Sequence, residues 1–415
     1  MSLRVRFLST AVLLCLAACA SDEVPSMAGK FTVPPNVAPT AVPFILEGDQ
    51  ILVEVEVEGP VQNRKILCAL NMGQPASGWM EHVWKETGHV PHSPAAFRIG
   101  GIPIQVASGA SAGIEDAAYP DRQLGFWFFT HDVEGAIQAG FLQNFDIALD
   151  YSQKTLTLAS PGTLPHDGVA VPIRVKPETG LATVDFVVDG KPYPIVIDVG
   201  GPYTFVRPST AATWLAAHPD RRRTEGAIGP VNYLMTEFSG EEKGAVMRLD
   251  KAALGPMQME NVGVFGAGGG MGPLNVISTE SFLDKWQKAA PEPVIGWLGV
   301  NVLKHYRITI DYQAHMSWWK KLSDFDPHEL DQVGLEFAYD KGAYSIARIV
   351  AKNGAPTATG VESGDKLIAI DDAPVKGWSR DQLFAALHGK PGDLHNVTVE
   401  RDGKTQTFSL PVEAF

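Results

Sequence analysis

Asp198 closes an apolar run, Ile195-Val196-Ile197, and is followed by Val199, Gly200 and Gly201. A strand that delivers a carboxylate into a glycine-containing loop places it where it can take up and release a proton. A second run of the same build, Ile66-Leu67-Cys68-Ala69-Leu70, ends at Asn71 and enters Met72-Gly73. The Asn71 amide can donate and accept hydrogen bonds but does not titrate. Taken alone, Asp198 before two glycines also fits an ordinary turn residue. Other chemistries lack an anchor. His82, His89 and His92 do not have the i,i+4 spacing of a helical metal pair and Pro91 interrupts them, so no metal is expected. The stretch from Gly266 to Gly272 lacks the Gly-Lys-Ser/Thr ending of a phosphate loop, and no Gly-x-Ser-x-Gly elbow occurs. No cofactor is expected.

The elements that must position these loops occur twice. Phe141 to Tyr151 aligns without gaps on Val302 to Tyr312, each segment a short helix end running into a strand that closes with Asp-Tyr. Upstream, Val53 to Gly59 and Thr183 to Gly190 alternate with period two and enter hairpins, which lead to the strands ending at Asn71 and Asp198. An amphipathic helix is expected after each loop, around Trp79 to Lys85 and Pro208 to Ala217. The 415 residues suffice for two or three domains, and 41 glycines with 30 prolines point to a turn-rich, mainly β chain.

In this order of elements the chain resembles the pepsin and retropepsin superfamily of aspartic proteases, most closely its bacterial retropepsin-like branch, over residues 45 to 322. The resemblance implies a two-lobed acid protease fold with lobes at 45–165 and 166–324. It implies flaps at Ile99-Gly100-Gly101 and Ala227-Ile228-Gly229, and a later Leu-Gly segment at Gly296-Trp297-Leu298-Gly299. In that family each lobe supplies one Asp. The two carboxylates share a proton, so that one takes a proton from water while the other donates to the scissile carbonyl. Here Asp198 holds one catalytic position and Asn71 stands as a degenerate partner in the other. The catalytic loops Met72-Gly73 and Val199-Gly200 carry Met72 and Val199 where the family has cross-linking Thr or Ser, and Ile137-Gln138 replaces Leu-Gly in the first lobe. Two readings stay open: a body that holds extended polypeptide without cutting it, and an aspartic endopeptidase. The endopeptidase would use Asp198 with Asn71 and a water, or pair Asp198 with another carboxylate.

Residues 325–415 change pattern. Val333-Gly334-Leu335-Glu336-Phe337, then Gly364-Asp365-Lys366-Leu367-Ile368, a helix from Ser379 to His388 and Arg401-Asp402-Gly403-Lys404 resemble an α+β PDZ domain. That resemblance implies that backbone amides near Gly334 receive a terminal carboxylate and that a peptide adds as a strand beside Phe337 to Tyr339. Gly334, Leu335, Glu336, Phe337, Leu383 and Leu387 are the expected peptide-binding residues. The segment is expected to fold alone and to bind independently of the cleft.

At the amino terminus Arg4 and Arg6 precede the apolar run Phe7 to Leu16, which is too short to span a bilayer. Leu16-Ala17-Ala18-Cys19 resembles the bacterial lipobox. The expectation is a signal peptide at 1–18, acylated Cys19 as membrane anchor, a proline-rich tether at 19–44, and an outer-membrane lipoprotein facing the periplasm. Cys68 is then the free thiol left after the anchor. A net charge of -13 argues against nucleic acid as a partner. The expected partners are peptide or protein C-termini, unfolded or extended polypeptide, and the membrane through the lipid.

Overall fold

The computed structural model describes Val24 and residues 26–114, 130–233, 235, 239–271, 277–340 and 342–415. The leader, the lipobox and Cys19 lie outside the described residues. The chain is mainly β. Its first part contains β1 (Thr40–Glu47), β2 (Gln50–Glu58), β3 (Arg64–Asn71), β4 (Ser77–Met80), α1 (Glu81–Thr87), β5 (Ala95–Ile99), β6 (Ile102–Val106), β7 (Ser111–Ile114), β8 (Val133–Gln138), α2 (Ala139–Leu142), β9 (Asp146–Asp150) and β10 (Thr155–Ala159). The period-two pattern explains the strands: Val53, Val55 and Val57 on β2 are buried while Glu54 is exposed. Gly48 and Asp49 both adopt positive φ, at 58° and 60°, which lets a two-residue turn join β1 to β2 with the right twist.

The second part repeats the plan with β11 (Val169–Pro172), β12 (Ala182–Val188), β13 (Lys191–Ile197), β14 (Phe205–Val206), α3 (Pro208–Ala217), β15 (Ala245–Leu254), β16 (Met257–Gly266), α4 (Thr279–Trp286), β17 (Gly296–Leu298), α5 (Val300–Leu303), β18 (Tyr306–Asp311) and β19 (Met316–Lys321). In one part β3 pairs in parallel with β8, and in the other β13 pairs in parallel with β17. The strands of the gapless repeat, β9 and β18, pair with each other antiparallel in the middle of a path β11-β19-β18-β9-β10-β1-β2. Their register sets Ala148 opposite Thr309, and these residues are also equivalent in the repeat. The two parts are thus related by an approximate two-fold axis through that pair. Apolar side chains of both parts merge into one core, including Trp79, Phe97, Phe141, Val184, Phe186 and Trp319.

Residues 26–44 do not form the expected tether. Met27, Phe31, Val37 and Val42 are buried in the core, Phe31 and Thr32 pair with Val106 and Gln105, and Thr40 already starts β1. The spaced apolar side chains give this proline-rich stretch a surface to bury, so its extended backbone packs instead of acting as a free spacer.

The carboxy-terminal unit is a separate sheet with β20 (Gln332–Val333), β21 (Leu335–Asp340), β22 (Ala343–Ile349), β23 (Lys366–Ile370), α6 (Arg380–Leu387), β24 (Leu394–Arg401) and β25 (Lys404–Glu413). The order is β20-β25-β24-β23-β22-β21, which leaves β21 at an edge. Ser379 starts α6 with a capping box: its hydroxyl accepts from the Gln382 N–H while the Gln382 side chain accepts from the Ser379 N–H.

Candidate functional site

The Asn71 and Asp198 loops are held by matching hydrogen bonds. Gly73 N–H donates to Asn71 Oδ1 at 2.8 Å, as Gly200 N–H does to Asp198 Oδ1 at 2.8 Å. Ser77 Oγ accepts from Gln138 N–H, and Thr204 Oγ1 accepts from Gly299 N–H, both at 3.1 Å. Gln74 O and Pro75 O accept from Ala139 and Gly140, as Gly201 O and Pro202 O accept from Val300 and Asn301. Gln138 therefore fills the place of Gly299 without loss of the main-chain contact.

The two loops also touch. The Gly73 N–H reaches Asp198 Oδ1 at 2.9 Å, so one donor is shared between the Asn71 and Asp198 side chains. Met72 N–H adds a third donor to the same Asp198 oxygen at 3.1 Å. A Cβ on Gly73 would lie 2.4 Å from Asp198 Oδ2, and one on Gly200 would lie 2.3 Å from Asn71 Nδ2, so each loop needs glycine where the other's side chain arrives. Met72 and Val199, lacking hydroxyls, turn fully into the core. Further links come from residues that the sequence did not single out. Trp286 Nε1–H donates to Gly73 O at 3.0 Å, and Gln50 Nε2–H donates to Gly200 O at 2.6 Å.

Burial raises the Asp198 carboxyl from its ordinary 3.8 to about 6, against the lowering by the Gly200, Gly73 and Met72 N–H groups. The site therefore offers one carboxyl that exchanges its proton around pH 6 beside an amide that cannot titrate. The Gly100–Gly101 turn is not brought to these loops. It closes the β5–β6 hairpin with φ of 57° and 81°, and the nearest atoms to a Cβ on Gly100 belong to Val42 and Thr40. A tight Gly-Gly hairpin packed on β1 has no reach to act as the expected flap. In the second part Ala227 and Ile228 are buried, and Gly229 opens a short turn of helix.

Of the residues expected to bind peptide in the carboxy-terminal unit, Leu335, Glu336 and Phe337 lie on β21 and Leu383 and Leu387 on α6. Leu335, Glu336, Phe337, Leu383 and Leu387 are all at most 1% exposed, and the four apolar ones share one cluster. Gly334 is backed by Thr357, whose Oγ1 would lie 1.9 Å from a Cβ there, and its carbonyl accepts from Val350 N–H at 2.9 Å. The edge of β21 carries a segment of the second part. Phe337 N–H donates to Asn232 Oδ1 and Tyr339 N–H donates to Met235 O, both at 2.8 Å. Met235 is fully buried in the cluster of Leu335, Leu383 and Leu387. At the start of α6, Arg380 donates to Gly48 O at 2.7 Å and to Tyr233 O at 3.2 Å, and Asp381 Oδ2 accepts from Gly48 N–H at 2.7 Å. Glu225 and Ala351 exchange two main-chain hydrogen bonds. Main-chain and side-chain bonds thus tie this unit to both halves of the body.

The PDZ domain family matches residues 322–412. The chain carries a C-terminal PDZ domain. Solved structures that are similar include a photosystem II D1 C-terminal processing protease, 24% identical over 20% of this chain and 23% of that one, with a TM-score of 0.19. Another is the PDZ domain of a carboxy-terminal protease from Vibrio cholerae in complex with peptide, 18% identical over 20% of this chain and 93% of that one, with a TM-score of 0.18. This chain spans about a quarter of the processing protease. No curated protein matches. Met235, Tyr233 and Arg380 escaped the sequence reading because Val231-Asn232-Tyr233-Leu234-Met235 has neither helical nor strand periodicity, and its partners are about 100 residues away or more.

Proposed function

We propose that the protein is a lipid-anchored envelope protein that binds extended polypeptide, with the PDZ groove taking chain ends and an acid-protease-like body whose Asn71 and Asp198 loops hold a chain without hydrolysing it. The observation that carries the binding reading is the β21 edge: its Phe337 and Tyr339 N–H groups already donate to an added segment, and these are the donors an extended peptide would use to join the sheet. For the body, the matched loop frameworks and the exchange of pairings between halves support the acid protease likeness. The amide at Asn71 removes the second proton site that water activation requires. Cys19 after Leu16-Ala17-Ala18 supports the anchor.

Titration calorimetry with two peptides of one sequence, ending in a free carboxylate or an amide, tests the groove. Tighter binding of the free acid by the full chain is expected, since an ionised acceptor strengthens hydrogen bonds to backbone N–H. Equal binding of the two would remove the chain-end reading. A second reading, an active aspartic endopeptidase, is favoured by one observation: the Asp198 carboxyl is raised to about 6, in the range of a group that trades protons near neutral pH.

A further inference from the structure

We infer that Asn232, Tyr233 and Met235 act as an intramolecular ligand of the PDZ domain's β21 edge, and that an extended peptide with an unbranched apolar side chain in the place of Met235 displaces them and frees the Gly200 loop. The inference rests on the peptide-binding reading of the groove and adds its regulation and the kind of partner that fits. Three sets of contacts support it.

The main-chain donors of Phe337 and Tyr339, which an incoming strand would use, are taken by Asn232 Oδ1 and Met235 O. Met235 fills the apolar pocket, fully buried with Leu335, Leu383 and Leu387. Its φ of 49° is a left-handed conformation that a non-glycine residue rarely adopts, so the groove holds this segment in a bent path. Asn232 meets Phe337 and Met235 meets Tyr339, so the segment runs in the same sense as β21. Only one of these two contacts is a backbone carbonyl, whereas a regular strand could present one at each. A regular extended peptide therefore has more main-chain bonds to offer.

Tyr233, between these anchors, connects the groove to the body. Its carbonyl accepts from Arg380 on α6, and its hydroxyl lies 2.9 Å from Gln50 Nε2 and 3.5 Å from Gly200 O. Gln50 itself donates to Gly200 O at 2.6 Å. The Asp198 loop, β2, Tyr233 and α6 thus form one hydrogen-bonded chain, and removing Asn232 and Met235 from the groove releases its middle link. A site occupied in cis binds an outside peptide with affinity reduced by the fraction of molecules in which it is vacant.

The test uses a fluorescein-labelled peptide copying residues 229–238, titrated into the full chain as wild type, Met235→Asp and Asn232→Ala. The second variant removes the Asn232 side-chain bonds with Phe337 N–H and Glu241 Oε2 and keeps Met235, so it covers the case in which Met235→Asp fails to fold. The expected result is binding at least about tenfold tighter to a folded variant than to wild type. Saturating peptide on wild type is also expected to raise amide hydrogen exchange at residues 200–203. Equal affinity for wild type and variants overturns the intramolecular ligand. Tighter binding with unchanged exchange at 200–203 overturns the connection to the loop. Binding to none of the three proteins overturns the peptide-binding reading itself, and the inference falls with it.

Discussion

The Gly73 N–H, shared between Asn71 Oδ1 and Asp198 Oδ1, brings an amide and a carboxyl together at one donor. Because burial raises Asp198 from 3.8 to about 6, the folded protein holds this proton more tightly than the unfolded chain. Folding stability should therefore fall as pH rises from about 4 to about 6 and level off above, a change on the order of 3 kcal/mol. Asp198→Asn should lose that dependence, so its stability relative to wild type should improve across the same window in urea unfolding; a constant difference would refute the assignment. Gly200→Ala should cost about 1–3 kcal/mol, because its Cβ would meet the Asn71 amide at 2.3 Å. Combining it with Asn71→Ala should recover part of that loss in a double-mutant cycle. At this scale the sequence exposed Asp198 and Asn71 because each ends an apolar run before glycine. It did not expose Gln50, Tyr233 or Trp286, whose roles depend on contacts more than 100 residues apart.

Among the elements, the strands were the most legible. The alternation of β2 and β12 and the repeated helix-to-strand segments at β9 and β18 are local patterns, readable without knowledge of distant partners. The proline-rich stretch before β1 was misread because composition does not tell whether spaced apolar residues find a surface. Gly100–Gly101 was misread because a flap and a tight hairpin use the same residues. The apolar residues of β21 and α6 were legible, but Met235, which packs with them from the second part, was not. Met235→Ala should destabilise the PDZ domain by about 2–5 kcal/mol, as loss of a buried long side chain does, read as faster hydrogen exchange on β21 and α6. Unchanged exchange there would mean that Met235 does not contribute to that core.

For the whole molecule, the approximate two-fold axis at Ala148 and Thr309 and the bonds from Arg380 and Asp381 to Gly48 make the body and the PDZ domain neighbours that share structure. Residues 325–415 alone should therefore melt at a lower temperature in calorimetry than the PDZ domain does within the full chain, where Met235 completes its core. An equal melting temperature would restore the picture of an independent module. The central claim of the proposed function is binding without hydrolysis, resting on the carboxyl at Asp198 standing beside an amide at Asn71. It is tested most directly by incubating an unfolded protein such as reduced, alkylated casein with the full chain and with Asp198→Asn between pH 4 and pH 7 and following new amino termini by mass spectrometry. The account predicts no peptide-bond cleavage above background by either protein at any pH. Cleavage by wild type that disappears in Asp198→Asn would contradict it.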